Sequence, residues 1–345
     1  MSGVISLQDI KKIGSIGGKT LFYYLCTTAF AVAIGLFFAN SFKGIFPILA
    51  TTNLSYDATA SVSFMENIVN IFPKNFIAPF ADANMLQVIV SSLFIGFAII
   101  GVGNSAKRVV DAINIVNDIF VMGMEMILKL SPIGVFCLLC PVVAKNGPAI
   151  IGSLAMVLFV AYICYIVHAV LVYSLSVKVF AGINPITFFK GMMPAILFAF
   201  SSASSVGTLP LSMECTEKLG AKKEISSFIL PLGATINMDG TAIYQGVCSV
   251  FIASCFGIDL TLSQMITIVL TATLASIGTA GVPGAGMVML AMVLQSVGLP
   301  VEGIAIVAGV DRLFDMGRTT VNITGDAACC MVINAKEEKF NKRKK

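Results

Sequence analysis

The sequence predicts an all-α integral membrane protein with two re-entrant helical hairpins arranged as an inverted repeat. Three observations predict it. Of the 345 residues, 57% are hydrophobic and only 12% are charged, with mean hydropathy +0.94. A soluble domain carries about 25% charged residues, so this chain cannot cover a water-facing surface. Several charge-free stretches reach the length of one bilayer crossing, about 20 residues. Two further apolar stretches are interrupted by runs of small residues.

In chain order, residues 1–19 are mixed polar, carry Lys11, Lys12 and Lys19, and read as a cytoplasmic segment with no cleavable signal. Residues 20–42 hold no charge and form a first span. Residues 44–82, with Pro47, Pro73 and Pro79, read as a broken or extramembrane stretch, and residues 83–106 span again. Residues 107–129 are amphipathic, with Asp111, Asp118, Glu125 and Lys129. They run into the apolar stretch 130–144 as one long helix bent near Pro132, and residues 149–177 are another span.

The pattern then changes. Residues 191–213 are charge-free but interrupted between Ser201 and Pro210. Residues 225–258 carry one charge, Asp239. Residues 260–301 carry none, yet Gly278 to Gly286 break their middle. The arms on either side, 262–275 and 287–297, are each too short at 1.5 Å per residue to cross a core about 30 Å thick. A hairpin that enters and leaves on one side fits better. Its glycine- and proline-rich tip cannot be regular helix, and such backbone is tolerated at membrane depth only inside protein or beside water. Two broken segments of this kind point to inverted repeats with a binding site between them; ordinary helices joined by loops are the alternative. The tail from Lys336 to Lys345 holds six basic and two acidic residues. It reads as cytoplasmic by the positive-inside rule. With no other basic patch, nucleic acid is not a partner.

Ionisable residues inside spans are costly and usually functional. The final apolar stretch carries Asp311, Asp315, Arg318, Asn322 and Asp326, at spacings of four, three, four and four. At 3.6 residues per turn they fall within an arc of about 80°. Lipid cannot face that stripe. Arg318 is a planar fork that suits a carboxylate, Asp315 suits an ammonium, and Asn322 and Asp326 offer hard oxygens to a small cation. A salt-bridged seam that binds nothing is the plainer alternative. Asp239 lies in Asn237-Met238-Asp239-Gly240-Thr241 with no basic neighbour in sequence. A buried carboxylate needs a partner, and either a sodium ion or a proton supplies one. Gly240 predicts local unwinding that frees carbonyls such as that of Gly233.

Tyr24, Thr27 and Thr28 read by themselves as helix-packing residues. The single histidine, His168, reads as a packing residue or a donor to a backbone carbonyl. Nine cysteines, most in apolar runs, read as small buried residues, Cys137 and Cys140 included. No nucleophile–base pair, zinc pattern or P-loop lysine appears, so no enzyme is predicted.

These motifs carry a resemblance. Ser201 to Ser205 with Gly207 to Pro210, Asn237 to Ala242, Gly278 to Gly286, and Asp315 to Thr319 with Asn322 and Asp326 resemble the glutamate transporter family, the dicarboxylate/amino acid:cation symporters. The likeness runs from about Gly17 to Val332. It implies an elevator-type secondary transporter, homotrimeric and multi-pass in the cell membrane, that takes up acidic amino acids with sodium. It divides the chain into a transport-domain helix at 20–42, a partial scaffold at 43–145, a transport domain at 149–333 with hairpins near 184–220 and 260–298, and a cytoplasmic tail at 334–345. It implies about eight spanning helices, of which this chain begins just before the third. It places substrate on Ser205, Thr241, Val282, Gly286, Asp315, Arg318, Thr319 and Asn322. It places one sodium on Gly233, Asn237, Asn322 and Asp326, a second on Thr235, Met238, Ser276, Ile277 and Thr279, and a third on Tyr24, Thr27, Thr28, Asn237 and Asp239. Where many members carry an arginine, this chain has Ala203 and Met316, and Arg312, one turn before Met316, is expected to stand in by supporting Asp315 and Arg318. Asp326 favours sodium over proton coupling. Neutral amino acids or C4-dicarboxylates, an anion channel, and a non-transporting fragment are the alternatives.

Overall fold

The computed structural model describes residues 16–46, 73, 75–81, 85–128, 149–276 and 285–343. Every regular element among them is helical. Helix α1 (Gly18–Ser41) is the first span. Helices α2 (Met85–Val102) and α3 (Lys107–Leu128) are joined by a single tight turn, Gly103–Ala106. The expected continuation of α3 past Lys129, and Cys137 and Cys140 with it, lies outside the described residues.

Helix α4 (Ala149–His168) does not stop where its α-helical bonding stops. It continues through a π-turn (Ala169–Tyr173), one α-turn and a second π-turn (Val177–Ala181), and ends at Gly182 in the left-handed region, φ 73°. Its outer face presents Phe159, Ile166, Leu171 and Leu175, all exposed, as a lipid-facing surface requires.

Helices α5 (Pro185–Ser202) and α6 (Ser205–Lys218) pack against each other as a hairpin. Asn184 caps α5 by accepting from the Ile186 N–H, and Pro185 fills the first helical position. The turn is tighter than the sequence predicts. Only Ala203 and Ser204 leave the helices, Ala203 in the left-handed region at φ 52°. Ser204 caps α6 through the Gly207 N–H at 3.0 Å, and helix then absorbs Val206 to Pro210. At 18 residues α5 also meets the length of a full crossing. Among the described residues, Gly18–Ser41 and Leu154–Ala181 are the other two helices long and apolar enough to cross.

Helices α7 (Lys223–Ile236) and α8 (Asp239–Cys255) are separated by Asn237 and Met238 alone. Here the structure corrects the sequence reading: Gly240 is helical, the break precedes it, and the Gly233 carbonyl accepts from the Asn237 N–H at 2.8 Å. Helices α9 (Leu262–Ser276) and α10 (Ala285–Ser296) pack against each other. Ala285 and Gly286 belong to α10, so the irregular tip is shorter at that end than expected. Helix α11 (Asp311–Arg343) runs 33 residues and continues into the basic tail as far as Arg343, tied to the start of α1 by Lys19 and Glu337 at 2.9 Å.

The core sits around α8 and α11. All seventeen residues of α8 are buried, and α11 packs on α4, α5, α6, α7 and α8. Contact between α1 and α8 is close because both carry glycine at the crossing. A Cβ at Gly35 would stand 2.9 Å from the Ile243 carbonyl oxygen, and one at Gly246 3.2 Å from that of Val32. Small residues that let backbones approach are how helices associate in lipid, where burial of apolar surface gives no net drive.

Candidate substrate and cation site

The predicted stripe of α11 is buried in full. Asp311, Asp315, Arg318, Asn322 and Asp326 are each no more than 5% exposed. Arg318 donates through Nε to Asp315 Oδ1 at 2.8 Å, and through its two terminal nitrogens to both oxygens of Asp311 at 3.0 and 3.3 Å. The Tyr244 ring of α8 lies 4.8 Å beneath the guanidinium carbon. Gly286 closes the remaining side. A Cβ there would collide with the guanidinium nitrogens, and a Cβ at Gly240 would collide with the Arg318 backbone. Both glycines therefore bring backbone against Arg318, which is how α8 and α10 reach it.

The break between α7 and α8 organises a second cluster. Asn237 donates through Nδ2 to Asp326 Oδ1 at 2.9 Å and to the Asn322 carbonyl at 3.1 Å. Its own amide oxygen is buried and has no hydrogen-bond partner among the described residues. Asn322 Oδ1 accepts from the Gly240 N–H at 2.8 Å. Gly233 abuts Asp326 and the Tyr24 hydroxyl so closely that no side chain fits.

A third cluster surrounds Asp239, which is fully buried. Its Oδ1 accepts from Thr28 at 2.6 Å and Thr27 at 3.3 Å, both on α1. Its Oδ2 accepts from the Tyr173 hydroxyl at 2.8 Å and contacts His168 Nε2 at 3.2 Å, both on α4.

The model of the sodium:dicarboxylate symporter family matches residues 1–336. The chain is 36% identical to the proton/sodium-glutamate symport protein of Bacillus caldotenax, over 99% of this chain and 83% of that one. It is 33% identical to the proton/glutamate-aspartate symporter of Escherichia coli K12, over 99% and 81%. It is 33% identical to human excitatory amino acid transporter 2, over 94% and 67%. The chain belongs to the sodium:dicarboxylate symporter family.

Against that membership the predicted residues of this symporter fall into four groups. The structure brings together Asp315 with Arg318 and Gly286; Gly233, Asn237, Asn322 and Asp326; and Thr27, Thr28 and Asp239. Ser205, Thr241 and Thr319 are buried, Ser205 at the first position of α6, which packs on α11. Others point elsewhere. Tyr24 reaches toward the Ile229 carbonyl, 3.5 Å away, and abuts Gly233 beside Asp326 rather than joining Asp239. Thr235 and Ser276 each turn their hydroxyl to a carbonyl of their own helix, of Leu232 and Thr273, while Met238 offers its sulfur to Asn322 and Thr241. Val282, Ile277 and Thr279 lie outside the described residues.

Two readings of single residues are overturned. His168 bonds neither a backbone carbonyl nor a mere packing neighbour, but Asp239. Arg312 is exposed and donates to the Ser202 carbonyl at the turn of the α5–α6 hairpin, 3.3 Å away; Asp311, not Arg312, is the residue that buttresses Arg318. The spacing of the α11 stripe already held the signal for Asp311. Nothing local in the sequence marks His168 or Tyr173.

Proposed function

We propose that this symporter couples sodium entry to uptake of an acidic amino acid, aspartate or glutamate. One observation carries the reading. Among the described residues four carboxylates are buried, Asp239, Asp311, Asp315 and Asp326, against one buried guanidinium, Arg318, which pairs with Asp311 and Asp315. Even with His168 counted as charged, these buried acids outnumber the buried cations by two. Uncompensated buried charge is expensive, and mobile cations are the sufficient remedy. A seam that merely held helices together would not need the excess.

In this reading Arg318 receives the side-chain carboxylate, Asp315 the ammonium, and Asn322 with Ser205 the main-chain carboxylate. Thr241, Thr319, Gly286 and Val282 complete the substrate's surroundings. Sodium ions use the cluster at Asp326 and Asn237, whose unpartnered amide oxygen is a ready hard ligand, and the cluster at Thr27, Thr28 and Asp239. A third uses Thr235, Met238, Ser276, Ile277 and Thr279. The α5–α6 and α9–α10 pairs act as re-entrant hairpins, the second as an extracellular gate. The transport domain moves as an elevator within a homotrimer of the cell membrane, with the C-terminus cytoplasmic. The name of a relative supports sodium and proton as coupling ions; the intact Asp326 favours sodium.

The test is uptake of radiolabelled aspartate into proteoliposomes under a sodium gradient, a proton gradient and none. Concentrative uptake that requires sodium is expected. Uptake of succinate but not aspartate would move the substrate to the C4-dicarboxylates, which a relative from Bacillus subtilis, 31% identical, is named for. Absence of sodium-dependent uptake of either would overturn the proposal.

A further inference from the structure

We propose that His168 and Tyr173 of α4 are positioning residues for the buried cation site at Asp239. This rests on the reading of Asp239 as a cation ligand. The carboxylate has two faces. Oδ1 meets the threonine hydroxyls of α1, whose lone pairs remain available to a cation. Oδ2 meets only hydrogen-bond donors from α4, the Tyr173 hydroxyl and, facing a carboxylate, the His168 Nε2–H. One oxygen is thus presented and the other is tied.

The tie depends on an unusual backbone. His168 and Tyr173 bracket the π-turn Ala169–Tyr173. In an α-helix, residues five apart diverge by about 140° around the axis. The i→i+5 bonding of a π-turn stacks them instead, and both side chains reach one carboxylate oxygen. Both are fully buried, and their rings meet edge to face with centroids 4.8 Å apart, so each holds the other's orientation. His168 Nδ1 has no hydrogen-bond partner among the described residues. Its only polar attachment there is Asp239. Packing alone would be served as well by an apolar side chain, without leaving a buried nitrogen unpaired. Gly325 of α11 lies against the Tyr173 hydroxyl and the Asn237 amide nitrogen, so the anchor is walled in by the helix that carries Asp326.

Groups that orient a metal ligand from behind change metal affinity by about 10–100-fold when removed. The experiment titrates sodium against the thermal stability of the purified full chain and reads the half-saturating concentration. Stability at zero sodium reports folding separately. Asp239→Asn comes first: a half-saturating concentration within about threefold of the parent would overturn Asp239 as a ligand. If it moves further, Tyr173→Phe and His168→Phe are each expected to raise the value about tenfold. His168→Gln, which keeps an N–H donor, should stay within about threefold of the parent. Values for Tyr173→Phe within about threefold of the parent, or a loss of zero-sodium stability with unchanged half-saturation, would overturn the anchor. Tyr173→Phe removes a single oxygen and decides alone if His168→Phe does not fold.

Discussion

Arg318 is occupied on every side that the described residues reveal: Asp315 at Nε, Asp311 at the two terminal nitrogens, Tyr244 beneath and Gly286 against the guanidinium. On the proposed reading, a substrate carboxylate reaches it only by taking the place of one of these partners. Removing the buried partner of a carboxylate costs about 2–5 kcal/mol, so Arg318→Cys is expected to abolish aspartate uptake and to admit neutral amino acids. Labelled aspartate and serine compared in the same vesicles check both halves, and unchanged aspartate transport would refute the assignment. Gly286→Ala keeps the charge and crowds the guanidinium. It should raise the KM for aspartate by roughly tenfold, about 1.4 kcal/mol, with protein yield unchanged. Asp326→Asn removes a charge from the cluster that also holds Asn237, and sodium-dependent stabilisation should weaken more than aspartate affinity at saturating sodium.

At the scale of the element, the α1–α8 crossing is a close backbone-to-backbone contact. The atoms facing Gly35 are backbone of Ile243 and cannot rotate away. Gly35→Leu should therefore separate the two helices, at a cost of about 1–3 kcal/mol or more, and lower the melting temperature in detergent. The stripe on α11 was legible because a helix has one period, and five polar side chains at its spacing admit one face. The break between α7 and α8 was legible as the polar run Asn237 to Thr241, but which of those residues leave the helix was not. Glycine looks like the breaker, yet Gly240 is kept for close approach to Arg318, and the chain leaves the helix at Asn237 and Met238. The extent of the first hairpin turn was overestimated because serines near a cap look like loop until one of them, Ser204, is seen capping. His168 and Tyr173 were invisible because their partner is 66 to 71 residues away and because the π-turn that aligns them has no spacing signature. Arg312 was misassigned because a shared helix face does not say whether a long side chain points inward or toward the neighbouring hairpin.

For the whole molecule, cations and substrate that bind only the folded state raise its stability by about 2.7 kcal/mol at a hundredfold excess over Kd. Sodium with aspartate should lift the melting temperature more than either alone, and choline with aspartate should not. The proposed homotrimer is checked by mass in detergent, where a monomeric species alone would dismiss it. The stripe on α11 also has an electrical meaning. From Asp311 to Asp326 it covers fifteen residues of axis, about 22 Å, against an insulating layer about 30 Å thick. Side chains this deep hold any bound cation well inside that layer. Each elementary charge carried across the whole membrane potential feels about 2.3 kcal/mol per 100 mV, and uptake into vesicles clamped with potassium and valinomycin should steepen with negative interior potential.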